Sequence, residues 1–506
     1  MDLKSFIKLK KEGFNHIPIT RELIADLDTP LSCYIKVARG PYSYLLESAS
    51  QGGEKWSRYS VVGLPASKVI KISGEVISVL EGGELADMAK RVNPFTYIEE
   101  VLSSINYPKL PELPAYTGGL VGYFGYDTMR YFERNLQNSE PEDVLQLPDI
   151  ILMFSDDLII FDNVKGRMHL VTHANPFEEG SYEKAQLRLD EIAFNMSAEV
   201  PGSLKSPKEG PEIDEADFVS IYGKENFRSG VDRIKDYIVE GDVMQVVLSQ
   251  RMSVPFESDP LNFYRALRSL NPSPYMYFLD LDDFQIVSSS PEILAKLEDG
   301  SVTVRPLAGT RRRGHDEKED VLLEKELLND PKELSEHLML IDLGRNDVGK
   351  VCEPGSISVT EKMVVERYGH VMHLASNVEG RLKSGLAALD VLQATLPVGT
   401  LSGAPKIRAM EIIDELEPEK RGIFGGAVGY MSWNGNMDTA IAIRTAIIKG
   451  SVLYIQAGAG VVSDSVSENE WQETINKARS IFHAAVLAES GLDVIEKSSP
   501  PSGRNR

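Results

Sequence analysis

Cysteine is almost absent: Cys33 and Cys352 are the only two in a chain of 506 residues. Two thiols cannot build a disulfide framework or a cysteine-ligated metal centre, so a reducing, cytoplasmic setting is expected. Nor is there a run of about 18 consecutive apolar residues, the length that a membrane-spanning helix needs. The opening MDLKSFIKLKKEGFN places charge in every turn and has neither an apolar core nor an A-x-A pattern, so no secretory leader is expected. Basic residues are in deficit as well. Lys and Arg number 54 against 76 Asp and Glu, a net charge of −22, the wrong sign for gripping a phosphate backbone. Neither nucleic acid nor membrane is an expected partner.

What is present is enough chain for two domains or one large one. The segment 196–218 is rich in proline and glycine and poor in apolar residues, as a surface linker should be. It separates an N-terminal domain, 1–195, expected to fold together with the core, from a second domain, 219–490; residues 491–506 read as a flexible tail. Short apolar runs at Ser67–Ile72, Ile150–Phe154 and Leu158–Phe161 read as strands. From Gly425 the chain runs GGAVGYM, a turn at Asn434-Gly435, DTAIAIRTAII, a turn at Lys449-Gly450 and SVLYIQAGAGVV, an antiparallel meander of three segments. With amphipathic helices on either side, the class is α+β.

The chemistry gathers in acidic pairs. Asn329–Asp347 reads NDPKELSEHLMLIDLGRND, which places Asp330 as N-cap, Pro331 as first helical residue, and Leu334, Leu338 and Ile341 on one apolar stripe. Off that stripe lie Glu333, Glu336 and His337, and the two glutamates share a helical face. The spacing recurs at SENE, Ser467–Glu470, which has the form of a capping box before a helix with Trp471, Ile475 and Phe482 as core stripe. Glu470 and Glu473 are the second pair. Singly, each pair suits a solvated face, with Glu473 reaching Lys477 one turn on. Together, four carboxylates with no cysteine and little histidine suit a hard cation such as Mg²⁺, waters and substrate oxygens completing its octahedron. An anionic substrate would approach so acidic a cluster only with a cation between them.

Arg444 stands inside AIAIRTAII, where its guanidinium needs a carboxylate, either internal or from a ligand. Gly458-Ala459-Gly460 lets backbone N–H groups approach a ligand oxygen, or else simply turns the strand into the next loop. His370 and His373, three apart in a β-like segment, point to opposite faces and do not chelate one ion; either suits proton transfer. Gly344–Lys350, GRNDVGK, approaches a phosphate-binding loop, but Val351 replaces the required Ser or Thr and a helix precedes it, which excludes a nucleoside triphosphatase.

The strings GDVMQVVLSQ (Gly241–Gln250), RPLAGTRRRG (Arg305–Gly314), DPKELSEHLMLIDLGRND, ERYGHVMHL (Glu366–Leu374), LPVGTLSGAPKIRAM (Leu396–Met410) and AGAGVVSDS…ENEWQETINKA together resemble the chorismate-utilising enzymes, most of all the branch that makes anthranilate. The resemblance is dense from Phe227 to Ala488, and LLES, Leu45–Ser48, carries it into the N-terminal part. It implies a large antiparallel β-sandwich core flanked by helices, and a reaction in which chorismate and ammonia give anthranilate and pyruvate with Mg²⁺ as cofactor. By that resemblance Glu336 and Glu473 would bind Mg²⁺ directly, with Glu333 and Glu470 holding metal-bound waters. Gly309, Thr310, Arg444 and the backbone of Gly458, Ala459 and Gly460 would grip the substrate's carboxylates, His373 would assist proton movement, and Thr400 would lie near the ring. Phe424 stands where such enzymes often carry a substrate-contacting Tyr, so that hydrogen bond is lost. Ala308 stands where aminodeoxychorismate-forming relatives often carry Lys, and Gln245 where water-adding relatives carry a Lys base. Without either amine, free ammonia is the expected nucleophile.

Neither cysteine sits on a sharp G-x-C-x-G elbow, so the chain is not expected to release ammonia from glutamine itself. The resemblance accordingly implies a glutaminase (glutamine amidotransferase) subunit, in a heterotetramer of two large and two small chains. Ser48, with Pro274, Tyr275 and Met276, resembles the family's tryptophan feedback site, which implies a regulatory N-terminal domain and inhibition by tryptophan. Two readings compete: an aminodeoxychorismate synthase of the folate pathway, and a non-catalytic tryptophan-binding regulator on the same fold. The four glutamates, His373 and Arg444 argue against the second.

Overall fold

The computed structural model describes residues 1–49, 58–136, 140–205, 210–368 and 371–492. His370, residues 206–209 of the expected linker and the expected tail from 493 onward lie outside the described residues.

Among the described residues two sheets of twelve strands each form the core. The first runs from Ile17–Ile24 through Arg167–Ala174, Leu158–Asp162, Tyr59–Gly63 and Ser43–Glu47 to Tyr275–Asp280, Phe284–Ser290, Thr445–Lys449, Val452–Val461, Gln245–Pro255 and Val219–Ser220, with Gly403–Ala404 beside Gln245–Pro255. The second runs from Leu307–Arg312 through Val371–Arg381, Ser301–Val304, Ile293–Glu298, Met437–Ile441 and Ala427–Ser432 to Gly119–Phe124, Ile150–Ser155, Lys68–Ser73, Val76–Glu81 and Glu84–Lys90, with Ser358–Arg367 beside Val371–Arg381. Neighbouring strands are antiparallel, and both sheets take strands from either side of 196–218.

The run IILMF at Ile150–Phe154 is apolar throughout because both of its faces are covered. Ile151 and Met153 enter the layer between the sheets, while Ile150 and Leu152 face outward onto Ile70, Leu120 and the helices beyond. The other two expected strands form as well, at Lys68–Ser73 and Leu158–Asp162.

The expected meander is corrected. DTAIAIRTAII is two strands, Met437–Ile441 in the second sheet and Thr445–Lys449 in the first, so the chain crosses between sheets at Ile443-Arg444. Arg444 is therefore not inside a strand. Its φ of 50° lies in the left-handed region that a non-glycine residue seldom occupies, and that twist turns the chain out of one ladder and into the other.

The helix Pro331–Val351 starts as read, with Asp330 accepting from the amides of Lys332 and Glu333 at 3.0 and 3.3 Å. Its buried face differs: His337, Leu340, Ile341, Val348 and Val351 are inside, while Leu338 is exposed. An apolar stripe misses His337 because a hydrogen bond, 2.7 Å from its Nε2 to Ser376 Oγ, is what makes its burial affordable. GRNDVGK lies within this helix. In the helix Ser467–Glu489 the N-cap is Val466, without a side-chain cap, so the SENE capping box is not formed. Phe482 is buried as expected and Trp471 and Ile475 partly so, but the innermost row is Thr474, Ala478, Ile481, Ala485 and Ala488, small residues that let the helix lie close on the first sheet.

One buried ion pair ties these parts together. Arg421 forks onto Glu417 at 2.6 and 2.8 Å and donates to the carbonyls of Leu401 (2.6 Å) and Val247 (2.7 Å), while Glu417 also accepts from the amide and hydroxyl of Ser249, both at 2.8 Å. Removing one partner strands a buried charge, so Glu417→Ala is expected to cost roughly 3–5 kcal/mol. An unchanged guanidinium unfolding midpoint would show that the pair contributes nothing.

Candidate active site

Val452–Val461 pairs with Thr445–Lys449 only from Val452 to Ile455, whereas on its other side it pairs with Gln245–Pro255 along its whole length. Beyond Ile455 one edge is therefore open, and Gly458, Ala459 and Gly460 lie along it. Arg444, where the crossing begins, stands at the mouth of this gap. Its guanidinium makes no hydrogen bond or ion pair among the described residues, and burial lowers its pKa against the nearby charges of Glu473 and Glu292. A half-buried guanidinium without a partner among the described residues calls for an anion.

Lys477, set by the Ser467–Glu489 helix, closes one side. Its Nζ pairs with Glu473 at 2.7 Å, as the spacing suggested, and donates to the Gly458 carbonyl at 2.8 Å. Gln245 lies so near Gly460 that a Cβ there would sit 2.5 Å from its Nε2, and its buried Oε1 has no partner. The same side chain hydrogen-bonds Glu336.

His373 accepts a definite tautomer. Its Nδ1 lies 3.1 Å from the Gly309 carbonyl, which can only accept, so Nδ1 carries the proton; Thr310 Oγ1 is also 3.1 Å away. Nε2 is left as a proton acceptor. Burial lowers the pKa of His373 to about 4, with Arg444 and Lys477 adding to the effect, so the ring is neutral at physiological pH. Gly309 sits at a bulge with φ 64°, and a Cβ on it would come within 3.2 Å of Glu333 Oε2.

The four glutamates meet as electrostatic neighbours. Glu336 is raised above the ordinary carboxylate range by burial and by Glu333 and Glu473; Glu470 is raised by burial and by Glu473. Glu333 is held by Arg311 at 3.0 Å, a residue whose fork also takes Asp330 and Glu326. No three of these carboxylates bring their oxygens within 4.8 Å of one another. Among the described residues only His16, Asp156 and His173 do so, and there His173 Nδ1 is committed to the Asp156 carbonyl at 2.7 Å. The glutamate set offers hard oxygen donors and excess negative charge, which fits Mg²⁺ held partly through water.

Sequence reading missed Glu292. It is fully enclosed between Ser290 and the Ile293–Glu298 strand, and burial pushes its carboxyl up to about 8, opposed by the Leu307 amide, the Thr400 hydroxyl, Lys477 and Arg444. Thr400 Oγ1 donates to it at 3.4 Å. The signal available was a glutamate set between two strand-like segments, in SSSPEILA. Phe424 is buried, its ring 5.6 Å beneath the Arg421 guanidinium. The remaining candidates lie elsewhere: Met276 stands opposite Glu47, next to Ser48, across adjacent strands, and Tyr275, which follows Pro274, donates to Asp438 at 2.9 Å.

The fold is shared with known proteins. The chain belongs to the chorismate binding enzyme family, whose model matches residues 43–483. It is 52% identical over 498 residues to anthranilate synthase component 1 of Pseudomonas aeruginosa, covering 97% of this chain and 100% of that one, and 45% identical over 491 residues to that of Aquifex aeolicus, covering 96% and 98%. The crystal structure of anthranilate synthase component I from Streptococcus pneumoniae superposes with a TM-score of 0.76 at 38% identity, covering 91% of this chain and 99% of that one. The menaquinone-specific isochorismate synthase of Escherichia coli shares the fold, with a TM-score of 0.69 at 19% identity over 95% of this chain and 99% of its own.

The raised Glu292 carboxyl has a signed consequence for stability. Between pH 4.5 and about 8 the unfolded chain releases this proton while the folded chain keeps it, so wild type loses stability as pH rises through that window. Glu292→Gln lacks the effect. Unfolding midpoints at pH 5 and pH 8 should therefore move in favour of the variant at the higher pH; a constant difference would contradict the burial of an ionisable group there.

Proposed function

We propose that this chain converts chorismate and ammonia to anthranilate and pyruvate, as the large subunit of a Mg²⁺-dependent anthranilate synthase at the first step of tryptophan biosynthesis. The observation that carries this reading is the half-buried Arg444, without a hydrogen-bond or ion-pair partner among the described residues, close to the four-carboxylate cluster. A substrate with two carboxylates answers both, one at the guanidinium and one through a cation.

Glu336 and Glu473, with Glu333 and Glu470 through water, would hold Mg²⁺, which would supply positive charge to offset the second carboxylate. Lys477 and the open Gly458–Gly460 edge orient the ring. Gln245 and Ala308 bring no amine to compete with ammonia. As ammonia forms the new C–N bond and the ring double bonds shift, Glu292, protonated at neutral pH and steadied by Thr400, gives its proton to the departing ring hydroxyl, which leaves as water. The added nitrogen sheds a proton to solvent to become the amine. Neutral His373 then takes the ring proton at Nε2 as the enolpyruvyl C–O bond breaks with its electron pair on oxygen and the ring becomes aromatic, and the released enolate gains a proton at carbon to become pyruvate. The names of the relatives support a partner second component. We assign to it the glutaminase role, in a two-plus-two cytoplasmic assembly. We further assign residues 1–195 a regulatory role, with tryptophan held at Ser48, Pro274, Tyr275 and Met276.

Purified chain given chorismate, ammonium and Mg²⁺ should develop anthranilate fluorescence, and with glutamine in place of ammonium it should not; EDTA should abolish the signal and added Mg²⁺ restore it. Chorismate consumed without fluorescence would redirect the assignment to aminodeoxychorismate, and no consumption would refute catalysis. Activity should fall above about pH 8 as Glu292 loses its proton, and Glu292→Gln should lower kcat by about 10²–10⁴-fold. Tryptophan should inhibit; a flat titration would remove the regulatory assignment.

A further inference from the structure

Behind Glu292 and Thr400 lies a cavity of about 40 Å³, room for roughly two or three water molecules. Its walls include Leu340, Leu343 and Val398, and its far end is formed by Gly344 and Asp347 of the Pro331–Val351 helix. Leu340 to Asp347 spans about 10 Å at the helical rise of 1.5 Å per residue. Asp347 is itself buried. It pairs with the enclosed Lys406 at 2.8 Å and with Lys350 at 3.0 Å, and the Lys350 side chain is 52% exposed. The cavity is thus shared by the carboxyl that gives up a proton and by the Asp347 ion pair at the edge of solvent, with walls that mix apolar side chains with Arg305 and Thr395. The GRND and GAPK motifs, which the proposed chemistry leaves unused, supply that outer end through Asp347 and Lys406.

Loss of the ring hydroxyl makes a water molecule at this place. The C–O bond breaks with its electron pair going to oxygen, the Glu292 proton joins that oxygen, and Glu292 is left as a carboxylate that must regain a proton before the next turnover. With the ring filling the other side of the site, the new water needs room behind the acid. We propose that the cavity is a water-binding site that receives the leaving hydroxyl as water and carries a proton back to Glu292 from the Asp347 end. The proposal rests on the function assigned above.

The charged and titratable groups facing Glu292 are Arg444 and Lys477, with Tyr368 near enough to sense it and Arg305 and Asp347 in the cavity wall. None of them is changed by the test. Gly344→Ala adds a methyl group at the wall, where its nearest neighbour would be Val304 Cγ2 at 3.2 Å, and alanine is the better helix former. Leu343→Phe fills more of the space. Each variant is expected to lower kcat at least fivefold with the KM for chorismate within twofold of wild type, and to move the alkaline limb of the pH profile upward, because a drier Glu292 holds its proton longer. Unchanged kcat and pH limb in variants that unfold at the wild-type midpoint would overturn the proposal. If both fail to fold, Leu343→Ala widens the cavity and should move the limb downward; no movement would overturn the proposal equally. A wild-type enzyme that does not consume chorismate would instead sink the function on which it rests.

Discussion

A strand needs a neighbour on each side, and the site exists because one strand is denied it. Val452–Val461 keeps its second partner only as far as Ile455, since the chain before Thr445 belongs to the other sheet. The crossing is braced by the serines of Phe284–Ser290: the Ser289 amide donates to the Arg444 carbonyl at 3.1 Å and Ser290 Oγ to the Ile441 carbonyl at 2.7 Å. Two residues after Ser290 comes Glu292. The same hydrogen bonds that hold the left-handed turn at Arg444 therefore fix the distance between its guanidinium and the buried Glu292, and neither residue can be displaced without disturbing the other.

Charge is organised against the trend of the whole molecule. The chain carries a net −22, yet its interior collects cations where substrate carboxylates would lie, at Arg444 and Lys477, and places carboxylates where a metal would balance them. Burial does most of this work by acting oppositely on acids and bases. It keeps Glu292 protonated and His373 neutral, the forms that their proposed tasks require.

Part of the candidate site could be read from spacing, and Gly309, Thr310 and Thr400 only from the family resemblance. The two acid pairs, the Asp330 cap and the Gly458–Gly460 edge are local patterns, and local patterns survive folding. What spacing misrepresented was governed by long-range geometry. Arg444 read as strand-interior because both flanks are apolar and β-prone; only the assignment of those flanks to different sheets reveals the break. His337 read as outward-facing because a polar residue is assumed to seek water, and the bond to Ser376, 39 residues away, reverses that. Glu292 escaped notice since its significance is its enclosure, which depends on Thr400 and Leu307 rather than on its own segment. The α+β class was legible from the alternation of apolar runs and turns, while the order of strands within two interleaved sheets was not.

That interleaving constrains how the chain is made. Ser43–Glu47 pairs with Tyr275–Asp280, which leaves the ribosome about 230 residues later, and Gly119–Phe124 waits still longer for Ala427–Ser432. At roughly 5–20 residues per second the first of these gaps lasts on the order of ten to fifty seconds, during which strand edges and apolar faces of the early segment have no partner. A topology of such high contact order folds late and as a whole. The N-terminal third is thus a creditor of the C-terminal strands during synthesis, and truncation of the last strands would leave the earliest ones exposed to aggregation.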